Sequence, residues 1–381
     1  MRPVAEAPAV STDLEALYDL HDVARTAEQR VPRPVWDFIE GGSGQEGSLR
    51  ANRTVLDSVF LVPRVLQASA QPNTGTRLLG APVALPLVVA PMAYQRLVHP
   101  GGEVAVGRAA RAAGVPFVVP MLSSVPVERI AEGAGTLWLQ LYWLRDRGLL
   151  TELVDRAKAA GCAALMVTVD VPRMGRRLRD VRNAFALPED VGAVHLTDAD
   201  MLAAQHQVPG RSAVASHTRQ SFDPAFDWSC LEWLRSHTDL PIVVKGVLDP
   251  RDAVLAESLG AHAVVVSNHG GRQLDGAVPG FSVLPAVREA VSEACEVWVD
   301  GGFRSGVDVL KALASGATAA LIGRPVLWGL ALGGEDGVGK VLDLLRDELE
   351  DALALSGCAD LKAAAGLGLM GELPRRLERH E

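Results

Sequence analysis

A chain of 381 residues with 48% hydrophobic side chains is long enough for one large α/β domain or two ordinary ones, and can bury a sizeable core. Its formal net charge of -9 argues against a general nucleic-acid binder. No window reaches about 18 apolar residues without charge or helix breakers, and Met1–Val10 lacks the apolar core of a signal peptide. A cytoplasmic protein with no membrane partner is expected. Cys162, Cys230, Cys295 and Cys358 stand far apart and form no metal-ligand spacing, so buried free thiols and no metal are expected. The final Arg379-His380-Glu381 carries no peroxisomal address.

In chain order, residues 11–80 begin with a helical run, Asp13–Gln29, then a second short helix near Pro34–Glu40, then a Gly-rich turn. Residues 1–80 therefore read as an N-terminal helical cap, and 81–370 as the domain it covers. Eight short apolar runs rich in β-formers follow: Leu87–Pro91, Pro116–Pro120, Leu137–Tyr142, Ala164–Asp170, Pro241–Gly246, Ala263–His269, Glu296–Gly301 and Ala319–Arg324. Between them lie amphipathic stretches such as Glu103–Ala113, Leu149–Ala160, Pro250–Leu259 and Val307–Ser315. Gly114, Gly161, Gly260 and Gly316 each follow such a stretch, where a helix end favours a left-handed residue.

Strand and helix alternating eight times is the pattern of an α/β (β/α)8 barrel, a TIM barrel. A doubly wound sheet is the alternative, but it would normally place a Gly-rich loop after the first strand, and Ala90-Pro91-Met92-Ala93 is not one. Residues 173–226, after the fourth strand, interrupt the repeat with a polar stretch lacking a sustained apolar period. A long insertion on that side of a barrel is commonly a lid. The last helical run, Gly337–Leu355, is expected to pack as the eighth barrel helix.

Barrel chemistry collects at the C-terminal ends of the strands. The sixth strand runs into Ser267-Asn268-His269-Gly270-Gly271-Arg272-Gln273-Leu274-Asp275. A histidine there can move a proton near neutral pH, and an arginine three residues on can grip a carboxylate with its fork of donors. A capped strand end with a structural His and a surface Arg is the plainer alternative. Asp170, closing the fourth strand, could orient His269, or simply cap a turn. Lys245, closing the fifth, points to the barrel mouth, where it could form a Schiff base, hold a phosphate or stabilise negative charge on a cofactor ring. Gln140 and Tyr142 close the third; Tyr142 could hydrogen-bond a carboxylate or alkoxide, or be a satisfied core tyrosine. The loops after strands seven and eight, Asp300-Gly301-Gly302-Phe303-Arg304 and Gly323-Arg324-Pro325, combine glycine N–H groups with two arginines. Barrels often bind phosphate there.

This ordered set of strand ends resembles the FMN-dependent α-hydroxy acid oxidases and dehydrogenases, from about Leu14 to Leu367. The resemblance implies FMN as cofactor, with its phosphate on Gly302, Arg304, Gly323 and Arg324 and its ribityl chain on Asp300. It implies a flavin ring against Pro91, Met92 and Ala93, with Gln140, Thr168 and Ser267 bonding its polar edge and Lys245 beside it. His269 would be the base, paired with Asp170. Arg272, helped by Tyr142 and Arg177, would clamp the carboxylate of a small 2-hydroxy acid. A homo-oligomer, by the same resemblance a tetramer, is expected.

The chain departs from that pattern at Phe38, where many members carry tyrosine, and at Pro120 and Leu122 after the second strand, where many carry serine and a tryptophan or other pocket residue. Proline cannot donate a backbone N–H to the flavin. Phe38 and Leu122 together describe a roomy, apolar pocket, which suits an aryl acid such as 4-hydroxymandelate or mandelate. The chain is similar to the hydroxymandelate oxidases within the family. The insertion carries Glu189, Asp190, Asp198, Asp200, His206 and Gln207 and no long apolar run, which favours molecular oxygen as acceptor over a membrane-bound partner. Oxidation of a short acid such as L-lactate or glycolate, a mandelate dehydrogenase with another acceptor, and a non-catalytic flavin-binding sensor are the alternatives.

Overall fold

The computed structural model describes residues 13–67, 71–196, 204–207, 209, 210 and 212–371. Met1–Val10, Asp198, Asp200 and the Arg379-His380-Glu381 end lie outside them. Eight parallel strands close into a barrel: Leu87–Val89, Phe117–Val119, Leu137–Leu141, Ala164–Thr168, Ile242–Val247, Ala263–Val266, Glu296–Asp300 and Ala319–Ile322. The eighth returns to the first, with Leu321 opposite Val88. The predicted runs overshoot mainly at their C-terminal ends, because residues such as Pro91, Tyr142 and Asp170 leave the ladder to form the rim.

The strands are buried on both faces, which is why they read as continuous apolar runs rather than alternating ones. Inward-pointing Val88, Val118, Trp138, Met166, Val243, Val265, Trp298 and Leu321 fill the barrel, with Trp138 and Trp298 stacked at 5.0 Å. A hairpin, Thr76–Leu78 with Ala81–Val83, packs against the same cluster and plugs one end. Its turn is tied to the seventh strand by the Leu79 N–H on Glu296 Oε1 at 2.7 Å. The opposite, C-terminal end is left for chemistry.

Each strand is followed by a helix on the outer ring, the last being Arg324–Ser356. That span is two helices meeting at a kink, Gly333 and Gly334, and the expected Gly337–Leu355 run lies in the second of them. Gly114, Gly161, Gly260 and Gly316 all take positive φ at helix ends. Among the described residues no helix is long and apolar enough to cross a membrane. All four cysteines are buried and free.

The N-terminal segment differs from expectation. The Asp13–Gln29 run is a short 3-10 turn, Leu14–Ala16, and then a helix, Leu20–Arg30, capped by the Asp19 carboxylate on the Asp22 N–H at 2.7 Å. After Arg33–Glu40 comes a helix that apolar periodicity does not reveal, Gly47–Ser58. Its buried face is Ser48, Asn52 and Leu56, spaced i, i+4, i+8 but mostly polar. The 173–226 insertion likewise contains helices, Leu178–Arg182 and Ala213–Ser221.

Candidate active site

The polar face of the Gly47–Ser58 helix exists to hold the loop after the sixth strand. Asn52 and Asn268 exchange two side-chain hydrogen bonds of 2.9 Å. Asp275 accepts from the N–H groups of Gln45 and Ser48 at 2.7 and 3.0 Å. Within the loop, His269, Gly270 and Gly271 all have positive φ. Gly271 allows this because a Cβ there would stand 2.5 Å from the Leu49 backbone. The turn projects His269 into a cavity at the barrel mouth.

His269 Nδ1 lies 3.0 and 3.2 Å from the two Asp170 oxygens. Burial pushes the imidazole pKa below its ordinary value, against the raising pull of Asp170. For Asp170 burial favours the acid form, but His269 and Lys245 outweigh it and hold the carboxyl below its ordinary range. The pair is therefore a neutral imidazole against a carboxylate, with Nε2 as proton acceptor. Lys245 Nζ makes an ion pair with Asp300 Oδ2 at 2.9 Å and donates to Ser267 Oγ at 3.0 Å. Burial works to lower the pKa of this lysine, but Asp300 and Asp170 outweigh it and raise it.

Lining the cavity with His269 and Lys245 are Pro91, Met92, Ala93, Leu122, Tyr142, Thr168, Arg177, Arg272, Asp300, Gly302, Arg304, Gly323 and Arg324. Phe38 joins them, flat against Phe185 at 4.5 Å and within 5.4 and 5.9 Å of the Arg272 and Arg177 guanidinium carbons. Gln140 and Ser267 sit behind this surface. Ser267 Oγ already accepts from Lys245 and from the His269 N–H. Tyr142, partly buried and near Asp170, has its phenol pushed up to about 12 by desolvation and by that carboxylate, and so stays protonated as a donor.

Whether these residues fit a flavin mononucleotide can be judged from their unmet needs. Gln140 accepts from the Met121 N–H at 3.1 Å, yet its Nε2 is buried with no hydrogen-bond partner. Arg177 Nε and Asp300 Oδ1 are also buried and unpartnered. Burial lowers the pKa of Arg272 strongly, with Arg177 and Arg324 adding repulsion, and burial lowers Arg304 to about 10. Guanidiniums crowded and buried like this call for anions. Gly302, at φ 90°, brings its backbone so close to the Asn52 carbonyl that a Cβ would stand 2.5 Å from that oxygen. Arg53 grips the same loop through Gly302 O at 2.8 Å and Asp308 at 2.5 and 2.8 Å. A phosphate-bearing, planar, hydrogen-bonding group fits this donor set.

Sequence reasoning missed the part of the cavity wall supplied from afar. Tyr94, Met174, Val214, Thr218 and Phe222 all line it. Phe222 stacks on Tyr142 at 4.6 Å. Tyr94 carried one usable signal, its place beside Pro91-Met92-Ala93; the rest depend on how the insertion folds back.

The profile of the FMN-dependent dehydrogenases matches residues 27–367. The chain is 55% identical to the 4-hydroxymandelate oxidase of Amycolatopsis orientalis over 348 residues, covering 91% of this chain and 97% of that protein. It is 45% identical to the L-lactate oxidase of a Nostoc species over 356 residues, 92% of this chain and 97% of that one. A crystal structure of a mandelate oxidase with (S)-4-hydroxymandelic acid superposes with a TM-score of 0.91 at 52% identity, over 94% of this chain and all of the other. With a match of this extent and a cavity that suits its cofactor, the chain belongs to the FMN-dependent dehydrogenase family.

Proposed function

We propose that this protein is an FMN-dependent oxidase of aryl (S)-2-hydroxy acids, converting 4-hydroxymandelate or mandelate to the 2-oxo acid while oxygen becomes hydrogen peroxide. The observation that carries the substrate class is the apolar slot beside the base. Leu122 and Phe38 open it, and the Phe38–Phe185 and Tyr142–Phe222 stacks bound it. The high identity to a 4-hydroxymandelate oxidase supports the same class.

In this reading Arg272 and Arg177 hold the substrate carboxylate, and their mutual repulsion is relieved as it binds. Tyr142 donates to the substrate from its protonated hydroxyl. His269 Nε2 takes up a proton of the substrate, and Asp170 stabilises the imidazolium that results. Gly302, Arg304, Gly323, Arg324 and Asp300 would hold FMN, which would supply the two-electron redox chemistry. Lys245, kept charged by Asp300 and Asp170, offers a fixed positive charge beside it. That the whole set stands assembled counts against a flavin-binding sensor without catalysis.

The test is anaerobic mixing of the holoenzyme with (S)-4-hydroxymandelate, (S)-mandelate and L-lactate, followed by air. The aryl acids should bleach the flavin absorbance fastest, and air should restore it with release of peroxide. Faster bleaching by L-lactate at matched concentration would move the assignment to short acids. Absorbance that fails to return in air would move it to a dehydrogenase.

A further inference from the structure

A phenol hydroxyl at the far end of an aryl substrate would be buried, and a buried hydroxyl needs a partner. The helix Ala213–Ser221 covers the slot and turns Val214, Thr218 and, just past its end, Phe222 toward it, spaced i, i+4, i+8 along one face. Both ends of that face are fixed by aromatic stacks. At the first, the Ala213 N–H donates to the Phe185 carbonyl at 2.9 Å, and Phe185 lies on Phe38. At the second, Phe222 lies on Tyr142. Thr218 stands midway between them and is buried.

The surroundings of Thr218 are apolar: Val214 one turn earlier, and Met174, whose sulfur is 3.8 Å from Thr218 Oγ1. Its hydroxyl has two acceptors for its one proton, the Ala215 carbonyl 3.3 Å away in the same helix and the Met174 sulfur. Such a hydroxyl keeps its lone pairs, and a phenol O–H is the donor that matches them. The other polar groups on the cavity wall have different work. Arg177, Arg272, His269 and Lys245 surround the reacting end, and Tyr94 interacts with Arg177. Gln273 is spent on backbone, accepting from Gly175 N and donating to the Asp170 and Arg173 carbonyls.

We propose that Thr218 Oγ1 accepts a hydrogen bond from the para-hydroxyl of the substrate and thereby sets the preference for a hydroxylated over a plain phenyl ring. This rests on the aryl hydroxy-acid reading above. The readout is the ratio of kcat/KM for (S)-4-hydroxymandelate to that for (S)-mandelate, taken within each variant. A second ratio comes from titrating 4-hydroxybenzoylformate and benzoylformate into the oxidised holoenzyme and following the flavin spectrum. Thr218→Val should lower both ratios by about tenfold, and Thr218→Ser should keep them near wild type. If the valine chain fails to hold FMN, Thr218→Ala is read in the same way.

Ratios unchanged in the valine or alanine variant would overturn the proposal. So would an equal fall in the serine variant, since that would mean methyl packing rather than the hydroxyl. A wild-type enzyme that oxidises neither aryl acid would overturn the aryl reading and this contact together, which is distinguishable from loss of the contact alone.

Discussion

His269 Nδ1 faces the Asp170 carboxylate at 3.0 Å, joining the ends of the sixth and fourth strands across the barrel mouth. The contact fixes the tautomer and makes the imidazolium easier to form. Asp170→Asn should therefore lower the rate of flavin reduction by about 10²–10⁴-fold. The pH effect has a definite sign. Burial lowers the His269 pKa and Asp170 raises it, so losing the carboxylate lowers it further. The acid limb of the kcat/KM profile should move to lower pH in the variant. A limb that stays put or moves up would show that Asp170 does not act through His269.

Arg304 donates to the Phe303 carbonyl at 2.8 Å and stacks its guanidinium on Trp328 at 4.7 Å, with burial lowering its pKa to about 10. A phosphate would relieve that cost. Arg304→Ala should weaken FMN binding by about 10- to 100-fold, corresponding to ~1.5–3 kcal/mol for a charge-assisted contact. Far-UV circular dichroism should stay unchanged. Equal FMN dissociation constants for variant and wild type would remove Arg304 from the phosphate site.

The strand ends were legible in the sequence because a barrel presents its chemistry there by construction. Asp170, Lys245, His269, Arg272, Asp300 and Arg304 each lie at the end of an apolar strand or in the few residues after it. Phe185, Val214, Thr218 and Phe222 were not, because nothing local reports that the insertion folds back to stack on Phe38 and Tyr142. The Gly47–Ser58 helix was missed for a different reason: its inward face carries Ser48 and Asn52, whose task is to bond the loop around His269. An apolar period cannot signal a helix whose burial is polar. Ser267 Oγ accepts from Lys245 and from the His269 N–H, which leaves its own O–H as the group it can offer to a ring edge.

The two arginines proposed to clamp the substrate carboxylate should fail differently. Arg272 is anchored by its own donors to the Ile39 and Gly41 carbonyls at 3.0 and 2.7 Å, so its orientation is built into the barrel rim. Arg272→Lys keeps the charge but not the fork, and should be severely impaired in reduction rate. Arg177 belongs to the insertion, and its Nε has no partner. Arg177→Ala should raise the apparent substrate constant more than it lowers the reduction rate. Equal losses in both would mean that Arg177 acts in the transition state.

The insertion is fastened to the barrel by His195. Its Nε2 accepts the Val127 N–H at 3.0 Å, and its Nδ1 donates to the Met121 carbonyl at 3.2 Å. Burial, aided by Arg156, pushes its pKa down to about 4 from 6.5. Between those values the unfolded chain binds a proton that the folded chain does not, so stability rises with pH. The contribution is complete above pH 6.5, declines as pH falls, and is lost at about 4; it is on the order of 3 kcal/mol. His195→Gln should be less stable at neutral pH and show a flatter fall in Tm toward acid. Parallel Tm profiles for the two proteins would show that His195 is not the group responsible.

In the proposed aryl reading, Leu122 sets how much room a ring has. It is buried on the cavity wall, its carbonyl accepts the Tyr94 N–H at 3.0 Å, and a tryptophan there would occupy the slot bounded by the aromatic stacks. Burying a phenyl ring yields a few kcal/mol at most, so wild-type preference for (S)-mandelate over L-lactate should reach roughly 10²-fold in kcat/KM. Leu122→Trp should reverse part of that preference by hindering the aryl acid while leaving the methyl of lactate its space. The comparison needs one preparation of each protein, both carrying FMN, with reduction rates for the two acids at several concentrations. A variant that retains the full preference would mean that the ring lies elsewhere in the cavity, away from Leu122.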